Sequence, residues 1–317
     1  MPTPTLSFTE SKTAKPIAFV KGGDDDKQVL YLHEDKPSII HRSKKEINAK
    51  HYQSDLLKFP VRERVGIMNR LSEAKMKGLP VSSLIEPEEV KKLYEKVLHD
   101  EENEKEIDLN TDSMFQPIPP PDPKTRTVWY VCGASGSGKS YFARGLAEAY
   151  KKLYPEREIY LISKLKEDET LDRMKIGKPK RINVDTLIDN PPEIEEFENC
   201  MIIFDDYDTF QPPYFKAVMS LIDNLAIQGR HTNTTMLCLT HYLSNYKNTR
   251  LILNEMTHLV VYPQATAFKP LKYLLETHLG LDKEAVAQLK RLGSRWVCFA
   301  KNYPQYQISE HSAKILN

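Results

Sequence analysis

Residues 133–140 read Gly-Ala-Ser-Gly-Ser-Gly-Lys-Ser, a full match to G-x-x-x-x-G-K-[ST]. Residue types and spacing both suit a phosphate. Glycines let consecutive backbone N–H groups turn inward around an anion, in conformations closed to larger side chains. An apolar run, Val128-Trp129-Tyr130-Val131-Cys132, enters the motif. A helical pattern leaves it, with Phe142, Leu146 and Tyr150 four residues apart. The positive end of that helix then adds to the cradle. Gly133, Ala134, Ser135, Gly136, Ser137, Gly138, Lys139 and Ser140 are therefore expected to bind ATP. Lys139 would reach the β- and γ-phosphates as a mobile point charge, and the Ser140 hydroxyl would be a ligand of Mg²⁺.

A second acidic element lies 66 positions after Lys139, where Met201-Ile202-Ile203-Phe204 runs into Asp205 and Asp206. Asp205 is expected to hold Mg²⁺, through Ser140 or a water, and Asp206 to polarise the attacking water. Aspartate is one methylene shorter than the glutamate more usual for that second role, and Asp208 is a substitute within reach. A later apolar run, 235–239, ends in Thr240 and His241. A polar residue at that strand end can sense the γ-phosphate; a histidine there can equally be a structural hydrogen-bonder. Arg230, between a helix and that strand, reads two ways: an arginine finger for a neighbouring subunit's nucleotide, for which Arg250 and Arg295 are weaker candidates, or a surface charge.

These residues need a frame. From residue 125 strands and helices alternate, which argues for a mainly parallel sheet covered by helices, a RecA/ASCE-like α/β P-loop fold. Strands are expected near 127–132, 158–163, 201–204, 235–239 and 259–262, with helices near 140–153, 214–227, 243–255, 269–279 and 282–291 and a final hairpin over 296–308. Upstream lies a small α+β region. Ile17–Val20 and Val29–Leu32 flank a Gly/Asp turn, and 61–77 is helical with Val65, Ile67, Met68 and Leu71 on one side. Residues 86–110 hold ten acids and four lysines and read as a solvated helical spacer. Prolines 117, 119, 120, 121 and 123 then suggest a break. The expected division is an accessory region over 1–105, an acidic, Pro-rich linker over 106–124 and a P-loop ATPase domain over 125–317.

Composition narrows the class. The chain has 317 residues, and 45 Lys+Arg against 44 Asp+Glu leave a net charge of +1, which excludes a globally basic nucleic-acid coat. Charge is uneven, however. Residues 242–317 carry ten Lys/Arg against five Asp/Glu, Lys175, Lys178, Lys180 and Arg181 form another basic group, and 42–51 is locally basic. The four cysteines lack Cys-x-x-Cys spacing, so neither a zinc site nor a disulfide framework is indicated, and a reducing interior is the expected setting. There is no apolar leader and no run near the ~20 residues a bilayer needs, so a soluble, cytoplasmic protein without a membrane partner is expected.

Taken together, GASGSGKS, MIIFDD and IQGRHTNTTMLCLTH resemble the poxvirus-type genome-packaging ATPases of large DNA viruses, a branch of the FtsK/HerA-like motors. The resemblance covers about 125–265, and the Gly229-Arg230-His231 segment carries most of its specificity. Two positions depart from the pattern: His241 stands where the family tends to have glutamine, and Asp206 where it often has glutamate. The resemblance implies a homo-oligomeric ring that translocates double-stranded DNA, a capsid protein as a further partner, and the host cytoplasm or a viral factory as its place. Two other classes share the cradle. A phosphotransferase is disfavoured, since no arginine-rich lid is visible and the second acid motif has its own distant strand. A nucleotide-dependent assembly or scaffold ATPase without DNA is the other, and composition does not exclude it.

Overall fold

The computed structural model of the protein describes residues 4–34, 47, 49, 52–77, 79–102 and 106–316. Contacts divide the chain into two compact units. One comprises residues 1–5, 11–13 and 33–105; the other comprises 6–10, 14–32 and 106–317.

The first unit is helical: α1 (Gln53–Leu56), α2 (Val61–Met76) and α3 (Glu88–Glu102). Its core is Ile67, Met68 and Leu71 of α2 against Val90, Leu93, Tyr94 and Val97 of α3. The acidic spacer expected here is therefore half of a core. Its apolar residues recur three and four apart and gather on one face, while the acids take the other. Val65 is exposed rather than part of the α2 stripe, because it stands about 200° round the helix from Ile67. The basic stretch 42–51 lies, apart from residues 47 and 49, outside the described residues.

The second unit holds two sheets. A small one has the order β1-β3-β2-β5, from β1 (Thr5–Ser7), β2 (Lys15–Lys21), β3 (Val29–His33) and β5 (Met114–Pro117). The large one has ten strands, β4-β14-β13-β12-β11-β6-β10-β9-β7-β8. They are β4 (Glu106–Asp108), β6 (Val128–Cys132), β7 (Ile159–Ser163), β8 (Lys180–Arg181), β9 (Met201–Asp205) and β10 (Thr235–Thr240), then β11 (His258–Val261), β12 (Val297–Ala300), β13 (Tyr306–Ser309) and β14 (Ser312–Ile315). From β11 to β8 every pair is parallel; from β11 out to β4 every pair is antiparallel. The helices are α4 (Lys139–Leu153), α5 (Thr186–Asp189), α6 (Tyr214–Gln228), α7 (Tyr246–Glu255), α8 (Phe268–Leu279) and α9 (Lys283–Arg291).

The alternation of a strand sorts the core into two faces. Trp129 and Val131 of β6 face α4 and the small sheet, with Phe142, Leu146, Leu30 and Phe115. Val128, Tyr130 and Cys132 face the opposite layer, with Val218, Ile252, Leu271 and Val286 of α6 to α9. This is the mainly parallel, helix-covered α/β sheet the sequence implies. Residues 6–10, 14–32 and 106–124 fall in the same compact unit as this sheet. The Pro-rich stretch supplies two edge strands: β4 pairs with β14, and β5 pairs with β2. Edge positions tolerate proline because one side of the strand needs no donor. The prolines beyond β5 are pinned to the end of α4, where the Tyr154 hydroxyl donates to the Pro120 carbonyl at 2.6 Å and Arg157 to that of Pro123 at 2.8 Å.

The central order β6-β10-β9 sets up the chemistry. It places β10 between the strand entering the cradle and the strand ending in Asp205. The C-terminal ends of these parallel strands share one edge, where Thr240 pairs in register with Cys132, and Ser163 with Asp205.

Candidate active site

The cradle forms between β6 and α4. Gly136 (φ 74°) and Gly138 (φ 109°) adopt left-handed conformations that disfavour any side chain. At Gly133 the constraint is room: a Cβ there would lie 2.7 Å from the Tyr262 ring and 2.8 Å from Ser137 Oγ. The Gly133 N–H donates to the Thr240 carbonyl at 3.1 Å, which ties the loop to β10. Ser140 is the second residue of α4, at the positive helix end.

Lys139 is buried, and its ammonium donates to the carbonyls of Gly133 (3.1 Å) and Ala134 (3.4 Å). It also stands 3.4 Å from Asp206 Oδ1. The Lys139 cation therefore sits between the cradle and the acid expected to act on water. Asp205, at the end of β9, is 3% exposed and accepts a hydrogen bond from Ser163 Oγ at 2.9 Å. Burial, and then the neighbouring charge of Asp206, push its carboxyl up to about 6, against the Ser163 hydrogen bond. Asp206 turns away from the strand in a left-handed conformation, φ 44°.

Thr240 and His241 differ in their surroundings. Thr240 is fully buried, and its hydroxyl accepts the Tyr242 N–H at 3.1 Å. His241 faces the acids. Asp208 grips it twice, accepting its backbone N–H at 2.9 Å and standing 3.3 Å from Nδ1, while Nε2 is 3.6 Å from Asp206 Oδ2. Donor atoms of Asp206, Asp208 and His241 all lie within 4.8 Å of one another. Asp208 thus anchors the histidine.

Arg230 is not brought to this cradle. It is exposed at the C-terminal end of α6 and precedes β10, so about 20 Å of strand separates it from Thr240. The Gly229-Arg230-His231 segment is a tight turn here. A Cβ on Gly229 would meet the Leu225 carbonyl at 2.5 Å. Arg126, half-buried beneath it, donates to the carbonyls of Leu225 (2.6 Å), Ala226 (3.2 Å) and Thr234 (3.0 Å), capping the negative end of α6.

Sequence reading passed over Ser163, Tyr262 and Arg126. Ser163 carried a usable signal, a hydroxyl ending an apolar strand of the same parallel set. Tyr262 and Arg126 carried none, because their partners are distant in the chain.

An Mg²⁺–ATP group fits these residues. Ser137 Oγ is buried without a hydrogen-bond partner among the described residues, and Asp206 Oδ1 is buried with the Lys139 ammonium 3.4 Å away. The Ser140 hydroxyl and Asp205 carboxylate are hard oxygen donors of the kind Mg²⁺ takes.

The raised carboxyl makes a stability prediction. A carboxyl raised in the folded state binds protons there that the unfolded chain has lost, so stability falls as pH climbs from about 4 to 6. Above that window the buried charge costs on the order of 1–3 kcal/mol. Asp205→Asn, measured without divalent cations at pH 7, is expected to melt higher than the parent by several degrees. The difference should close near pH 4. A variant that melts lower at pH 7 shows that the Ser163 bond outweighs the buried charge.

No family model matches the chain. A relative in Sputnik virophage, described as Uncharacterized protein V3, is 32% identical over 202 residues, 63% of this chain and 81% of that one. The chain belongs to the V3 family. Among solved structures it is similar to the genome packaging NTPase B204 of Sulfolobus turreted icosahedral virus 2, with 14% identity, a TM-score of 0.38, and coverage of 62% of this chain and 100% of that one. It is also similar to the pCW3 conjugation coupling protein TcpA, with 12% identity, a TM-score of 0.40, and coverage of 93% and 77%. The fold of this V3-family chain is that of a P-loop ATPase. That assignment rests on its own strand order and cradle rather than on these distant likenesses. Among the described residues no helix is long and apolar enough to cross a membrane.

Proposed function

We propose that this protein hydrolyses ATP with Mg²⁺ and uses the energy to translocate double-stranded DNA as a homo-oligomeric ring, packaging a viral genome into a capsid in the host cytoplasm or a viral factory. The observation that carries the hydrolysis is the meeting of Lys139, Asp205, Asp206 and His241 at one sheet edge beside the glycine cradle. The backbone N–H groups of 136–140 would hold the phosphates, and Lys139 would neutralise the β- and γ-oxygens. Ser140 and Asp205 would hold Mg²⁺, which would supply further charge neutralisation. Asp206 would accept a proton from water, and His241, fixed by Asp208, would orient that water or read the γ-phosphate.

Support for DNA comes from the motif resemblance. One observation favours the second reading, an assembly ATPase without DNA: part of the basic surface is already paired. Arg181 makes a two-pronged contact with Asp172 at 2.8 and 3.2 Å, and Lys180 pairs with Glu158 at 3.1 Å. Lys301 donates to the carbonyls of Leu253 and Asn254. The experiment is to follow Mg²⁺-dependent ATP turnover while titrating duplexes of unrelated sequence at two salt concentrations. A phosphate-gripping motor gives similar stimulation by each duplex, and DNA affinity falls with salt at a log–log slope near −0.9 per neutralised phosphate. Unchanged turnover by a confirmed oligomer at low salt and saturating DNA leaves the assembly ATPase.

A further inference from the structure

We infer that Arg295 is a same-chain clamp on the diphosphate of the bound nucleotide, the portion that ADP and ATP share. The inference rests on the phosphate-cradle reading and adds to it a second cation from the far end of the chain. Topology brings that residue in. Val297 of β12 pairs with Val261 of β11, and β11 is the parallel neighbour of β6. Because β12 runs antiparallel, the residues just before it arrive at the edge where β6 opens into the cradle.

The turn that carries Arg295 is fixed on both sides. Ser294 is buried, and its hydroxyl donates to the Trp296 carbonyl at 2.7 Å. Trp296 packs edge-on against Phe142 of α4, centroids 5.2 Å apart at 69°. Glu310 Oε2 accepts the backbone N–H of Arg295 at 2.6 Å. Between these anchors only the Arg295 side chain leaves the surface. Its Cδ lies 3.5 Å from where a Cβ on Gly138 would stand. The guanidinium begins one bond beyond Cδ and stands more than 4 Å from that point, so a rotation of the exposed end of the side chain would bring its donors to the last glycine before Lys139. Arg295 is exposed, and among the described residues no carboxylate lies within ion-pair distance of its guanidinium. A planar fork of donors on a rigid turn, whose nearest acid Glu310 is engaged by the Arg295 backbone N–H and not by the guanidinium, is suited to phosphate oxygens.

Sheet order decides which phosphates. Asp205, Asp206 and His241 lie at the C-terminal ends of β9 and β10, on one side of β6. Arg295 comes from β11 and β12, on the other side. A nucleotide with its γ-phosphate toward the acids has its inner phosphates toward Arg295.

The test is calorimetric titration of the full chain with Mg²⁺–ADP and with a non-hydrolysable Mg²⁺–ATP analogue. Arg295→Ala is expected to raise both dissociation constants by a similar ~10- to 100-fold. Arg295→Lys, which keeps the charge and loses the fork, should recover part of that. The melting temperature of Arg295→Ala should match the parent, since alanine keeps the backbone bond to Glu310 and the deleted side chain is exposed. Tight ADP binding by Arg295→Ala overturns the clamp and leaves the cradle reading intact. Weakening confined to the ATP analogue also overturns it, because the arginine would then serve the γ-phosphate. A parent protein that binds neither nucleotide overturns the cradle reading, and the clamp with it.

Discussion

Lys139→Ala is expected to lower ATP turnover by at least about a hundredfold and to remove most nucleotide affinity. The lysine is the one cradle side chain whose charge is buried, and a preorganised donor in a water-poor site is worth roughly 10²–10³ in rate. Its removal has a second consequence. Asp206 loses the cation 3.4 Å away, so the acid expected to act on water changes environment at the same time. Asp206→Asn separates the two effects: it leaves Lys139 on the Gly133 and Ala134 carbonyls, so binding should persist while turnover falls. Titration with a fluorescent ATP analogue, beside a phosphate-release assay, reads both. Lys139→Ala protein that melts normally and hydrolyses ATP at the parent rate removes the cradle from the mechanism.

Much of this site was legible because its determinants are local. The cradle needs glycines where φ turns positive, and Gly136 and Gly138 take those conformations. Asp205 and Asp206 could be placed because an apolar run ending in acids is itself the strand end. The parallel sheet followed from alternating periodicities, and β10 takes the place between β6 and β9 that a γ-phosphate sensor strand requires. The features that escaped depend on pairing between distant segments. The partner of β5 is β2, nearly a hundred residues earlier, and a proline run gives no hint of it. The acidic composition of α3 masked a stripe of apolar residues that buries Tyr94 completely. Composition averages over a helix, whereas burial depends on which face each residue occupies. The hold of Asp208 on the His241 backbone likewise escaped, because it comes from another strand end.

A mixture of Arg230→Ala and Lys139→Ala subunits is expected to recover ATP turnover that neither variant shows alone. The structure removes one role for Arg230, since it lies at the opposite end of β10 from its own cradle. An exposed arginine so placed can act on a nucleotide only if a second copy of the chain presents a cradle to it. Head-to-tail contacts between identical subunits provide such a pairing of unlike surfaces, and they close into a ring where the rotation between subunits closes. A charge supplied in trans is worth on the order of 10³–10⁵ in rate, so Arg230→Ala rings should be nearly silent while still binding ATP. In an equal mixture about a quarter of the interfaces join an intact cradle to an intact Arg230, if interfaces act independently. Recovery should approach that share of the parent rate and vanish when assembly is diluted out. The turn itself need not change, because Gly229 and the Arg126 cap hold it without the Arg230 side chain. If mixtures shown to co-assemble stay silent, or Arg230→Ala alone turns over at the parent rate, the segment is only a capped turn between α6 and β10.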